Sequence, residues 1–144
     1  MNKKSFLRKS LLAILVFSLL VGVFSQKSIA ALMYNNTYST ATSAGVASDG
    51  TMTIYMAYDG IQGVTYRGEI TTYIEKRFLG LFWTRVNIGQ PNNQWTDTVY
   101  NYRYSGTHSH QLTSSGTYRA TVTYKIYGTG GDPDEITSQA TVTY

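Results

Sequence analysis

The side chains best suited to metal chemistry in this sequence are two histidines that lie two positions apart. His108 and His110 are its only histidines, and on an extended strand residues at i and i+2 point to the same face. Two imidazole rings on one face can share a zinc or copper ion, although a stable site needs further ligands. The chain has no cysteine, and no carboxylate lies close to the pair in sequence. We therefore treat the pair as a weak metal candidate and a solvated loop or edge strand as the alternative.

The acidic residues give little support for catalysis. Three of the eight, Asp132, Asp134 and Glu135, cluster in a glycine-rich segment. Clustered oxygens can hold calcium, but turn-forming Asp is the commoner reason for such a pattern. No serine lies in a Gly-x-Ser-x-Gly elbow. We therefore predict that the protein is not an enzyme and has no cofactor.

Aromatic residues are unusually abundant, and all 13 Tyr and both Trp follow residue 30. The segment 78–83, Phe-Leu-Gly-Leu-Phe-Trp, predicts an apolar hairpin tip. Exposed aromatic rings can stack on sugars or enter a partner's pocket. The predicted binding residues are aromatic side chains in or beside this tip: Trp83, Phe82, Phe78 and Tyr73. In the alternative, this segment folds back over an open end of the domain.

Strands must position these side chains, because no window shows a helical stripe and alternation of period two recurs. We predict strands over seven segments: 40–46, 51–58, 66–77, 82–88, 98–104, 117–127 and 136–144. Each strand is apolar on one face only, so two sheets must pack face to face. The sequence predicts an all-β, two-sheet antiparallel sandwich of about seven strands over residues 49–144, preceded by a polar segment over 31–48. A small closed barrel is the structural alternative.

The first thirty residues have the pattern of a signal peptide, predicted to be helical. Basic residues precede an uncharged run from Leu11 to Phe24, which is too short to cross a bilayer comfortably. Small residues then allow cleavage after Ala30 or Ala31. We predict a secreted protein, extracellular or associated with the cell wall, that contacts a membrane only through this leader during export.

Removing the leader changes the charge of the protein. Five of the 12 Lys and Arg lie before Ala30, whereas all eight Asp and Glu follow it. The mature chain therefore carries one net negative charge, which gives no reason to expect nucleic acid binding. The lack of cysteine means that an exported domain of this size must rely on packing. Cysteine avoidance is also usual in Gram-positive exported proteins.

Two segments resemble known domains. Residues 114–122, Ser-Ser-Gly-Thr-Tyr-Arg-Ala-Thr-Val, resemble the start of strand F in immunoglobulin-like domains. The resemblance implies that the Tyr118 hydroxyl bonds back to upstream backbone in a tyrosine corner. Ala120 lies where the family has a cysteine, so the family's disulfide is absent. We predict structural roles for Tyr118 and Trp95.

The second resemblance covers residues 50–144. Residues 73–77, Tyr-Ile-Glu-Lys-Arg, are followed by Gly80, Trp83 and Val86, and the chain ends in a Thr-rich strand. This pattern is similar to small exported proteins of Firmicutes with an immunoglobulin-like sandwich, which are largely uncharacterised. The resemblance supports the fold and the compartment and implies no activity.

We therefore expect a non-catalytic secreted binding or structural module that acts in the cell envelope or the medium. Its partner is expected to be a protein or a cell-wall glycan, and the carbohydrate alternative predicts a coplanar row of Tyr and Trp. A secreted antimicrobial protein is the third hypothesis. The near-zero net charge opposes it, because attraction to anionic lipid is then missing.

Overall fold

A computed structural model describes residues 34–144, and the predicted signal peptide lies outside the described residues. Eight strands and one short 3-10 helix, Pro91–Asn93, follow one another along this part of the chain. The strands are β1 (Thr37–Val46), β2 (Thr51–Gly60), β3 (Thr65–Phe78), β4 (Phe82–Arg85), β5 (Trp95–Val99), β6 (Arg103–Gln111), β7 (Thr117–Gly128) and β8 (Asp134–Thr143). No helix between residues 34 and 144 is long and apolar enough to cross a membrane.

The strands form two antiparallel sheets. Sheet A has the order β1-β2-β6, and in sheet B β3, β7 and β8 lie side by side. The other edge of β3 is shared by two short strands, since β5 pairs with residues 68–72 and β4 with residues 75–78. The long β3–β4 hairpin is thereby placed at one end of sheet B.

This connectivity is that of an immunoglobulin-like sandwich. Strands β1, β2 and β6 take the places of strands A, B and E, and β3, β7 and β8 those of C, F and G. In chain order β5 corresponds to strand D, but it pairs with the edge of β3 in sheet B. The predicted fold class is confirmed, with eight strands in place of about seven.

The core lies between the two sheets and follows the predicted alternation. In β2, Met52, Ile54 and Met56 are fully buried, and Ile70 and Ile74 face them from β3. From β7 a continuous inner row completes the core: Tyr118, Ala120, Val122, Tyr124 and Ile126. Because alternate side chains of a strand leave on opposite faces, the intervening Thr and charged residues face outwards.

Three sequence predictions of strand boundaries were wrong. The strand predicted over 82–88 ends at Arg85, because β5 occupies the edge of β3 from Thr72 back to Gly68. Residues 98–104 are not one strand, because β5 ends at Val99 and β6 begins at Arg103. The chain crosses from sheet B to sheet A between them, and Tyr100 is exposed there. The predicted start of the sandwich at residue 49 is too late, since β1, within the polar segment 31–48, is an edge strand of sheet A.

Tyr118 forms the predicted tyrosine corner. Its ring is buried at the start of β7, and its hydroxyl donates a hydrogen bond of 2.6 Å to the carbonyl oxygen of Ser114. The bond fixes the loop between β6 and β7 to the strand that follows it. A structural role for Tyr118 therefore has a direct physical basis.

Candidate functional site

The β3–β4 hairpin projects beyond the core. Phe78 pairs with Phe82, and the Leu81 amide donates to the Phe78 carbonyl oxygen at 3.1 Å, which closes the turn. Ile74 is the last fully buried residue of β3, and Phe78 lies four positions further on. At the rise of an extended strand Phe78 lies about 13 Å beyond Ile74, and about 7 Å beyond Lys76, which pairs with the core residue Tyr118.

Four apolar side chains at the end of this hairpin are exposed, and we call them the apolar tip: Phe78, Leu79, Leu81 and Phe82. Between 59% and 75% of each residue is accessible to solvent. The segment therefore does not fold back over the open end of the sandwich. Large apolar side chains exposed as a contiguous group are typical of an interaction site.

The turn at the tip uses an unfavourable residue. Leu79 and Gly80 both have positive φ, 51° and 68°, the sign that a type I′ turn requires at both central positions. Glycine suits this conformation, but a leucine in it costs about 1 kcal/mol, because its Cβ crowds the following carbonyl. Asn is the usual residue at the position of Leu79. The turn thus holds an apolar side chain where backbone preference favours a polar one.

Three cations lie directly behind the apolar tip, and we call them the basic collar: Lys76, Arg77 and Arg85. Among the ion pairs of the described residues, none involves a member of this collar. Lys76 donates to the Ser114 hydroxyl at 2.7 Å, and Arg85 bonds neutral oxygens of Asn92 and Gln94. The positive charge at this end of sheet B is therefore uncompensated.

The four predicted binding residues divide into two groups. Phe78 and Phe82 belong to the exposed tip. Trp83 and Tyr73 lie on the outer face of sheet B, where guanidinium groups cover their rings: Arg119 lies 4.3 Å from the Trp83 centroid and Arg85 lies 3.7 Å from that of Tyr73. Cation–π contacts of this kind occupy the faces that would otherwise stack on a sugar.

Arg119 is held in place by a partly buried ion pair. Its guanidinium donates two hydrogen bonds to Glu75 Oε2, at 2.9 and 2.6 Å. Glu75 lies between Arg119 and Arg85 in the sheet register. Trp83 is thus fixed beneath Arg119 at the base of the hairpin, and its ring marks the boundary between tip and sandwich.

The histidine pair lies on edge strand β6 and faces the interior of the sandwich. The His108 Nε2 atom lies 2.7 Å from Asp97 Oδ2, and the Trp95 ring stacks on the imidazole with centroids 4.8 Å apart. Burial lowers the pKa of His110. Within residues 34–144, no three metal-ligating side chains converge on one point. The Trp95–His108–Asp97 cluster joins β5 to β6, and thereby one sheet to the other.

The acidic loop before β8 has a structural role. The Asp134 carboxylate accepts hydrogen bonds from the backbone amides of Asn35 and Asn36, at 2.9 and 2.7 Å. The Asn36 side chain in turn donates to the Asp132 carbonyl oxygen at 2.9 Å. Both carboxylate oxygens of Asp134 are therefore occupied in tying the start of the domain to this loop.

A shallow depression of about 370 Å³ lies along sheet A beside Tyr55, Asp59 and Arg103. Arg103 and Asp59 pair at 2.8 Å, so their charges compensate each other.

Sequence reasoning missed five residues of the tip region. Leu79 and Leu81 were read as part of the hairpin without being assigned a binding role, and the basic collar was not recognised. The signal was present, since Lys76 and Arg77 immediately precede the apolar segment. The net charge of the mature chain hides this local group of cations, because acids elsewhere in the chain cancel it.

No family model, curated protein or solved structure matches this chain. Its class is therefore defined by its own geometry. It is an immunoglobulin-like antiparallel β-sandwich in which an apolar hairpin tip, with cations behind it, projects from one end.

Proposed function

We propose that the protein is a non-catalytic binding module that contacts its partner through the apolar tip. The observation that carries this proposal is the exposure of four adjacent large apolar side chains beyond the core. Complete burial of a Leu or Phe side chain contributes about 1.5–3 kcal/mol. Most of that free energy is not gained in the isolated domain, so it is available for binding.

The backbone of the tip supports the same interpretation. Leu79 adopts a conformation that favours Asn or Gly. The Leu79 side chain gains no packing within the domain from this unfavourable backbone conformation. Backbone strain of this kind is typical of residues that are kept for binding. A partner that buries the Leu79 side chain would offset that strain.

We propose further that the protein is exported and acts in the cell envelope or the medium. The basic and apolar pattern of residues 1–30 supports export. A cysteine-free domain with its own core is compatible with that location. The partner would then be an envelope component, with a protein, a cell-wall glycan or a lipid surface as the classes to test.

Replacement of Leu79 by Asn separates binding from folding. The free energy of unfolding of the L79N variant, measured in urea, should rise by about 1 kcal/mol, because Asn suits positive φ. Its co-sedimentation with the cell envelope of the producing organism should weaken about tenfold, because an apolar contact is lost. Both are measured on the full chain, which carries the same N-terminal segment in every variant.

Tyr38→Ser provides the matched control, since Tyr38 is 82% exposed and lies on β1 away from the tip. This variant should bind as the wild type does. The proposed function is wrong if L79N and a variant with serine at all four tip positions sediment with the envelope as well as the wild type.

A further inference from the structure

We propose that the apolar tip binds an anionic lipid surface, with the tip among the acyl chains and the basic collar at the headgroups. This inference rests on the proposed function and names the partner of the same site. Two independent features carry it: the separation of charge along the domain, and the depth at which the cations lie behind the tip.

Charge is distributed unevenly along the sandwich. Lys76, Arg77 and Arg85 cluster beside the tip without acidic partners among the described residues. Of the acids, Asp132, Asp134 and Glu135 lie at the far end of sheet B, where β7 turns into β8. The tip end also holds Asp49, Glu75 and Arg119. With four cations against two acids it is net positive, although the chain after the predicted cut carries a net charge of −1. Attraction to an anionic surface depends on the local field within a Debye length.

The collar lies at the depth that an interfacial site requires. Lys76 and Arg77 precede Phe78 by two positions and one, so their Cα atoms lie about 3–7 Å behind it along the strand. Arg85 pairs with Glu75, about 10 Å behind Phe78, and its guanidinium lies over the Tyr73 ring, further from the tip. Apolar groups of interfacial proteins enter about 5–10 Å into the boundary between headgroups and acyl chains. Insertion of the tip to that depth brings Lys76 and Arg77 to the phosphates, and Arg85 adds positive charge behind them.

A protein pocket is the competing partner for an apolar tip. Such a partner would need both a pocket that matches the shape of the tip and an acidic rim that faces the three cations. An anionic lipid surface satisfies both the apolar tip and the collar at once. The lipid surface is therefore the partner that the arrangement favours.

The test uses the full chain with vesicles of phosphatidylcholine alone or mixed with phosphatidylglycerol. We expect the wild type to bind the mixed vesicles more tightly and to lose affinity as salt is added. Replacement of collar residues by Gln should weaken binding about fivefold for each cation removed. The matched control neutralises Arg103 and Lys125, which lie away from the tip, and should leave the affinity unchanged.

Tryptophan fluorescence locates the contact in the chain. The protein has two tryptophans, Trp83 beside the tip and Trp95, which pairs with Thr72. Thr72 lies six positions before Phe78, about 20 Å along the strand, so Trp95 stays outside the bilayer. Lipids with brominated acyl chains should quench the wild type, whereas Trp83→Phe should abolish that quenching. Because the signal is local, the shared N-terminal segment does not contribute to it.

Three results would overturn the lipid proposal: equal binding to neutral and anionic vesicles, no quenching of Trp83, or unchanged affinity of the collar variant. Circular dichroism and urea unfolding of each variant establish that it is folded. The tip variants could lose envelope binding while the wild type binds neither kind of vesicle. In that case the proposed function stands with a protein partner, and the lipid proposal is wrong. If the tip variants still bind the envelope, the proposed function itself fails.

Discussion

At the scale of single residues, the hydroxyls of three core tyrosines each donate a hydrogen bond to a backbone carbonyl. Tyr118 donates to Ser114, Tyr58 to the Asn101 carbonyl oxygen at 2.7 Å, and Tyr124 to that of Ala41 at 2.7 Å. The Tyr118 bond ties a loop to the strand that follows it, whereas the Tyr58 and Tyr124 bonds join residues that are far apart in sequence. Since a buried hydroxyl without a partner is costly, these bonds fix the geometry as well as stabilise it.

Replacement of Tyr118 by Phe tests this role. The variant keeps the buried ring and loses the bond to the Ser114 carbonyl, so we expect the free energy of unfolding to fall by about 1–2 kcal/mol. Urea denaturation followed by circular dichroism measures the change. Tyr38→Phe, at an exposed position, is the control and should leave the midpoint unchanged. Equal midpoints for the two variants would show that the corner bond contributes nothing.

At the scale of elements, the sandwich is closed along both lateral edges by side chains instead of strand pairing. On one side, β1 lies beside β8, and Tyr124 reaches across to Ala41 and Thr42. On the other, His108 of β6 contacts Asp97 of β5. At the start of β1, Asp134 holds two backbone amides. Polar contacts at these edges therefore set the position of sheet A on sheet B.

Replacement of Asp134 by Ala should release the start of β1. Two backbone amides lose a charged acceptor, one of them from fully buried Asn36, so the free energy of unfolding should fall by about 2–3 kcal/mol. Hydrogen exchange of the Asn35 and Asn36 amides should accelerate, which is read by NMR or mass spectrometry. Exposed Glu135 is the matched control, and E135A should retain wild-type protection. Unchanged exchange in D134A would refute the role of this carboxylate.

At the scale of the whole molecule, stability depends on keeping buried tyrosines neutral. Burial raises the pKa of Tyr58 to about 12 and also raises those of Tyr104 and Tyr124. In the unfolded chain a tyrosine ionises near pH 10. The unfolded state therefore loses these protons first, so the stabilisation is complete below pH 10 and is lost as the pH rises from about 10 to 12.

We accordingly expect unfolding between pH 10 and 12 without any change in ionic strength. Parallel measurements of tyrosinate absorbance and β-sheet circular dichroism check this, because the buried groups should ionise together with the loss of the sheet signal. Tyr58→Phe should show a weaker dependence on pH over this interval. Ionisation of the buried tyrosines near pH 10 with the sheet signal intact would contradict the expectation.

The sequence by itself determined the two-layer architecture, the inner faces of β2, β3 and β7, the Tyr118 corner and the apolar character of segment 78–83. The Tyr118 corner was implied by the resemblance of residues 114–122 to immunoglobulin-like domains. The rest follows from local geometry, because side chains alternate along a strand wherever it lies and an apolar row must be covered. A pattern of this kind needs no knowledge of distant residues.

Only the tertiary structure decided which residues meet across strands and which apolar groups stay exposed. The His108–Asp97 contact, the crossing at residues 100–102 and the cover of Trp83 by Arg119 all depend on how the sheet edges align. The free tip and its basic collar depend on where the core ends, because Ile74 is covered by the opposite sheet and Phe78 extends beyond it. Burial is a property of the packed layers, and alternation alone does not fix how far along a strand it continues.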